Sequence, residues 1–208
     1  MTTFWRGVGV TVQDGSPGAA QTITAISKAS NGQVTTSGTL PTNGQYVLLE
    51  VQGMSQLNYA VCKVSGASGS NFTIGVDTTL FSTFTSGTFK VLTIDQAMSA
   101  MRDISPTGGD AVEEDTTTIH DLQDVSEVTG ATAVGYTFTE DFGTTAAGYV
   151  ELKAAAEALS PRAVKFTFAN GKEQCFYATA SVPGHAAQNG QKVVTPITLK
   201  CKGRVTVY

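Results

Sequence analysis

Residues 165–182, KFTFANGKEQCFYATASV, constrain the fold more than any other stretch. Phe166 and Phe168 alternate with polar neighbours, Asn170-Gly171 offers two positive-φ residues for a tight turn, and alternation resumes through Cys175, Tyr177 and Val182. Apolar alternation on both sides of an Asn-Gly pair specifies a β-hairpin, one side-chain set packing on a core and the other facing away. Phe176 lies on the returning strand, and nothing on the hairpin forms a catalytic arrangement.

The same grammar runs through the first half of the chain. RGVGVTVQDG reads as a short strand and turn. ITAIS, GQVTTSG, QYVLLEV, YAVCKVSG, NFTIGV and GTFKVL then follow as short strands with Gly-rich or Asn-Gly punctuation. Val47, Leu49 and Val51 alternate with Leu48 and Glu50, as in a strand with one wholly buried face. The spacing predicts a small β-barrel over residues 20–92, an interruption in the chain between residues 1–19 and 93–208.

After Thr93 the texture changes. A short strand or helix-like segment leads into a polar stretch, about Ser105 to Thr118, containing Pro106, Gly108, Gly109, Asp110, Glu113, Glu114, Asp115 and Thr116. A loop this long inside a compact domain is usually functional or disordered, so it is expected to order against a partner. Its acidic cluster offers the oxygen ligands that Ca²⁺ or Mg²⁺ would take, but the spacing does not match a calcium-binding loop. A solvated loop and an assembly contact are the other readings, and the contact is the one adopted.

AVGYTFTEDF then reads as a strand with Val134, Tyr136 and Phe138 on one face. TTAAGYVELKAAAEALSP reads as a helix capped by Thr144 or Thr145, packed through Tyr149, Leu152, Ala156 and Leu159, and stopped by Pro161. Pro196, inside the last predicted strand, points to an edge position or a bulge.

Charge and cysteine content narrow the function. Charged residues are 14% of the chain, against roughly 25% in ordinary soluble domains, which suits a surface that packs against copies of itself. The net charge is −4 with no Lys/Arg cluster, so DNA is not held by its phosphates. Met1 to Trp5 lacks a basic start before an apolar run, and no stretch is long and apolar enough for a membrane span, which leads to the expectation of a cytoplasmic chain with no membrane partner. Cys62, Cys175 and Cys201 are odd in number and widely spaced, and are read as buried reduced thiols.

His120-Asp121, Ser181 with His185, and Cys62 each lack a third partner at a recognisable spacing. No phosphate loop or zinc-binding motif is present. The chain is therefore expected to be no enzyme and to carry no cofactor or metal.

Two resemblances draw these pieces together. In MRDISPTGG, EEDTTTIHDLQD, AVGYTFTEDF, TAAGYVELKAAAEAL, KFTFANGKEQCFYATASV and TPITLKCKGRVTV, residues 94–208 resemble the major tail tube protein of long-tailed, lambda-like phages with non-contractile tails. In VQGMSQLNYAVCKV…NFTIGVDTTLFSTFTSG, the predicted barrel resembles the first catalytic cysteine half-domain of ubiquitin-activating enzymes, also found in phage tail proteins. The fold implied is mainly β, a tail-tube-type β-sandwich or barrel with one packed α-helix and an inserted small β-barrel.

The first resemblance implies a structural protein of the virion, assembled in the bacterial host cytoplasm as stacked hexameric rings. It implies that the hairpin of Phe166, Phe168, Asn170, Gly171, Phe176 and Tyr177 is tube wall, that the barrel sits in an early loop of the tube domain on the outer surface, and that DNA passes through a lumen without specific binding. Partners would be copies of itself, the tape measure protein, the tail terminator and the baseplate or distal tail proteins. The alternatives are a tail terminator or neck ring protein of the same virion, or a host-surface-binding β module, for which the single Trp5 gives little aromatic surface.

Overall fold

The computed structural model describes residues 7–117, 122–123, 126–186 and 192–208. The chain starts on β1 (Gly9–Gln13), then runs through seven short strands: β2 (Gln21–Ile26), β3 (Gln33–Thr36), β4 (Tyr46–Gln52), β5 (Val61–Lys63), β6 (Ser65–Ser68), β7 (Asn71–Thr73) and β8 (Ser86–Leu92). It continues as β9 (Ile94–Ala97), β10 (Met101–Thr107), β11 (Ala111–Asp115), β12 (Ser126–Ala131), β13 (Gly135–Asp141), helix α1 (Ala147–Glu157), β14 (Arg162–Thr167), β15 (Glu173–Ser181), β16 (Val194–Cys201) and β17 (Thr206–Val207).

Two sheets curl on themselves, and chain connectivity shows why. The larger sheet runs β10-β13-β16-β15-β14-β1-β9, with β17 paired to β15. Laid flat, its two edges would stand about 29 Å apart at the usual strand spacing. They are consecutive in sequence, joined only through residues 98–100, a link that spans at most about 14 Å. The second sheet, β5-β4-β8-β2-β3-β7-β6, has β5 and β6 as its edges, separated in sequence by Val64 alone. That short link brings its two edges together, and the sheet curls into a nearly closed barrel.

Each sheet encloses its own apolar cluster. Ile23, Val34, Val47, Leu49, Val51, Phe72 and Phe89 fill the small barrel, with Phe72 and Phe89 edge to face at 5.2 Å. Val10, Val12, Tyr136, Phe138, Phe166, Phe176 and Leu199 fill the larger one, and Leu152 of α1 packs among them. Rings of Tyr136, Phe166 and Phe176 meet within 4.8–5.1 Å, the offset and edge-to-face contacts that aromatic quadrupoles favour.

A third cluster joins the two bodies. Tyr46, Leu48, Val61 and Leu92 from the small barrel pack on Ala163, Cys175 and Tyr177 of the larger sheet, flanked by Tyr59 and Tyr208. Tyr46 donates its hydroxyl to Glu173 at 2.7 Å, and Lys63 pairs with the same carboxylate. The Thr206 hydroxyl donates to the Val61 and Cys175 carbonyls, and Tyr208 donates to the Ile74 carbonyl at 3.1 Å. β4 therefore buries both its faces: Val47 and Leu49 point into the barrel and Leu48 into the joint.

Several local expectations are corrected. The hairpin turn is not a two-residue loop. Phe168 and Lys172 close it, Gly171 alone has positive φ (80°), and Gly171 N–H donates to the Phe168 carbonyl, so three residues turn the chain and glycine takes the left-handed position. The helix is shorter than expected and has no side-chain cap at Ala146; the Thr144 hydroxyl accepts from Ala146 N–H instead. Leu152, Ala155 and Gly148 are its buried residues, with Tyr149 and Ala156 partly buried on the same core. Leu159 leaves the packing face: it lies beyond the helix end at φ 51° and is 80% exposed.

Candidate assembly surfaces

The stretch expected as a loop is mostly strand. β10 carries Pro106 opposite Tyr136, and the chain then turns at Gly108 and Gly109 into a separate two-stranded ribbon of β11 and β12. Gly108 has φ 72°, and a Cβ there would stand 2.2 Å from the Ala133 carbonyl oxygen, so only glycine fits. Thr132 fixes the root: Gly109 N–H donates to its carbonyl, Asp110 N–H to its hydroxyl, and its own N–H to the Asp110 carbonyl.

Every residue of β11 and β12 is exposed. Neither face meets a core, so no apolar alternation marks these strands, which is why the segment reads as a polar loop. Val112 and Val128 are 42% and 66% exposed, and Glu114 stands directly opposite Glu127, a like-charge pair that destabilises a free ribbon. Asp115 accepts from the Thr117 side chain and from Thr117 N–H, which together hold its carboxyl below the usual range. Thr116 follows at the described end of the arm, and His120-Asp121 lies outside the described residues. Among the described residues no group of His, Cys, Asp or Glu is arranged to hold a metal ion.

The hairpin residues split between two faces, and not as wall against lumen along the whole length. Phe166 and Phe176 enter the core shared with α1, and Phe168 packs at its margin. Tyr177 and Cys175 occupy the opposite face, which was expected to be open; there they are buried against the small barrel. Asn170 and Gly171 form the exposed tip. Only beyond Ala178 does that face come free.

Hydroxyl groups dominate the freed face. In register across four strands, Ser105 of β10 pairs with Thr137 of β13, Thr137 with Thr198 of β16, and Thr198 with Ser181 of β15. The neighbouring row is Thr107, Gly135, Lys200 and Thr179. Pro196 sits in β16 opposite Thr139, with no register shift between β16 and β13. Val194 N–H points away from β13 to Ala186, so the ring nitrogen of Pro196, two residues on, points the same way, past the end of β15. The expected edge position therefore applies to half of an otherwise interior strand.

The other sequence candidates have structural partners. Cys62, Cys175 and Cys201 are buried free thiols, each pushed up to about 12 by burial. His185 shares a hydrogen bond with the Thr195 hydroxyl through Nδ1 and packs edge to face on Phe142, while Ser181 pairs with Thr198 in the sheet. Glu140 escaped the sequence reading although it continues the Tyr136–Phe138 alternation. It is fully buried, accepts from Ala100 N–H through one oxygen and leaves the other without a partner, and burial pushes its carboxyl up.

A family model described as phage tail tube protein matches residues 52–208, about three quarters of the chain. This chain belongs to the phage tail tube protein family. The match begins at the last residue of β4 and so takes in β5 to β8 of the small barrel as well as the larger sheet. No curated protein matches the sequence. Membership in a family of tube-building proteins makes this a structural component of the phage tail, one that assembles with copies of itself and other tail proteins. No helix among the described residues is long and apolar enough to cross a membrane.

Proposed function

We propose that the protein forms hexameric rings that stack into the tail tube, the conduit through which the genome passes into the host. The observation that carries this reading is the fully exposed β11–β12 arm on a chain of this family. A two-stranded ribbon is marginal alone in water, and this one adds a like-charge pair and two exposed valines, so its partner is expected from another subunit. Pro106, Gly108, Gly109, Asp110, Glu113, Glu114, Asp115 and Thr116 then act as the edge, hinge and contact residues of assembly.

In the same reading the hydroxyl rows of β10, β13, β16 and β15 form the inner wall. Ser105, Thr137, Thr198 and Ser181 present short neutral side chains, and Arg102 and Lys192 on this side are engaged by Asp141. Lys200, in the neighbouring row, is exposed with no ion-pair partner among the described residues, so DNA phosphates would meet this lysine among neutral hydroxyls and slide past. Residues 1–19 and 93–208 make the tube domain, and residues 20–92 decorate the outer surface. Tape measure, terminator and distal tail proteins are the other partners, and assembly takes place in the host cytoplasm.

Sedimentation of the purified chain over a range of concentrations tests the reading. Rapidly sedimenting polymers are expected, six subunits to each ring; a chain that closes single rings and never stacks would be a terminator or neck protein instead.

A further inference from the structure

The larger sheet carries a second open feature, at the edge opposite the arm. β14 begins at Arg162, paired with Ala178, so β15 runs on without a strand neighbour on that side from Thr179 to Ser181. Lys202 N–H donates to the Tyr177 carbonyl, so residues 177, 179 and 181 turn their backbone groups toward β16. The N–H and C=O of Ala180 and Val182 therefore point the other way, into a groove of about 400 Å³ between β15 and the end of α1. Ala156, Leu159, Ala180 and Val182 supply its apolar lining, and Lys153 and Glu157 stand along the helix side, neither in an ion pair among the described residues.

We propose that this groove receives the β11–β12 arm of a second copy of the chain, an inference that rests on the self-assembly reading above. Complementarity runs through three properties. An open strand edge faces a ribbon whose outer edges are both unpaired, adding strand to sheet by main-chain hydrogen bonds. An apolar lining faces Val112, which shares one face of the ribbon with Glu114 and Glu127. Lys153, which shares the lining with Glu157, is placed to meet the Glu114–Glu127 pair and relieve its repulsion.

Topology adds the strongest support. In this part of the sheet the order is β10-β13-β16-β15, so the arm springs from one edge and the groove lies at the other. The row Thr107–Gly135–Lys200–Thr179 puts the arm's root and the groove at the same height along the strands. Donor and acceptor on opposite edges give a head-to-tail contact, and equal height lets that contact repeat around a ring.

Cysteines introduced as Val112→Cys and Val182→Cys in the full chain test the contact, since the three native thiols are buried. Assembled polymers oxidised and run without reductant should give a ladder of linked subunits that neither single variant gives. Lys153→Glu should raise the concentration needed for assembly roughly tenfold, and Glu114→Lys in the same chain should restore it. Polymers that form normally yet give no ladder would overturn the groove as the arm's seat while leaving self-assembly intact. Failure of the unaltered chain to polymerise would instead remove the self-assembly reading, and this contact with it. Polymers from a chain whose residues 110–131 are replaced by a short turn would show that the arm is not needed at all.

Discussion

Single residues decide how firmly the larger sheet closes. Phe166, Tyr136 and Phe176 form its aromatic centre, and full burial of each ring contributes about 2–3 kcal/mol. Glu140 works against them. It lies on the same face as Tyr136 and Phe138, close to the link that joins the sheet's two edges, with one carboxylate oxygen unpaired. Burial raises its pKa above the ordinary 4.5, so the folded state holds the proton more tightly than the unfolded chain. Its contribution is therefore fully present below 4.5 and is lost as pH rises through the raised value. Glu140→Gln is expected to be as stable as the parent in acid and more stable at neutral pH, by about 1 kcal/mol. Denaturant midpoints of the two proteins across that range check it, and parallel curves would contradict it. This residue was legible in principle, because period-2 alternation through YTFTED already places Glu140 inward.

Elements with a buried face were readable, and elements without one were not. β4, β13, β14 and β15 announce themselves by alternation because each lays a side-chain set on a core. β11 and β12 do not, since all their side chains face solvent, and a strand that touches nothing has no reason to alternate. The helix was legible in type but not at its end: Leu159 continues the apolar spacing, yet a left-handed residue there takes it off the core. The arm's independence leads to a prediction at this scale. Replacing residues 110–131 by a short turn should leave the circular dichroism spectrum β-rich and shift the unfolding midpoint by no more than a few degrees, because none of the segment's described residues belongs to a core. The same variant should fail to polymerise. Loss of the folded state would mean that the arm supports the monomer.

At the scale of the whole molecule, the joint between the two sheets is what the sequence concealed. The strands of residues 21–92 were readable from their own alternation, but Tyr177 and Cys175 read as one face of a wall, and only the structure brings Tyr46, Leu48 and Val61 over them. Such pairing of distant strands leaves no trace in either segment's own periodicity. Burial pushes the Glu173 carboxyl up, but hydrogen bonds from Lys63 and Tyr46 and the nearby positive charges outweigh it and hold the pKa below its ordinary 4.5. The joint's ionic contribution is thus present above 4.5 and lost as pH falls through the lowered value. Glu173→Gln should cost about 1 kcal/mol at neutral pH, modest because the pair is partly exposed, and nothing in strong acid. Thermal unfolding at the two pH values reads the difference directly. A barrel fastened in this way moves with the tube wall rather than swinging from it, and its removal would uncover Tyr177 and Cys175.

Self-assembly through the arm into a hollow tube is the central claim, and negative-stain electron microscopy of the purified protein, dilute and after concentration, tests it most directly. The account predicts hollow tubes with a regular axial repeat and knobs on the outside at the position of residues 20–92. Particles that remain monomeric at every concentration, or solid fibres without a lumen, would contradict it.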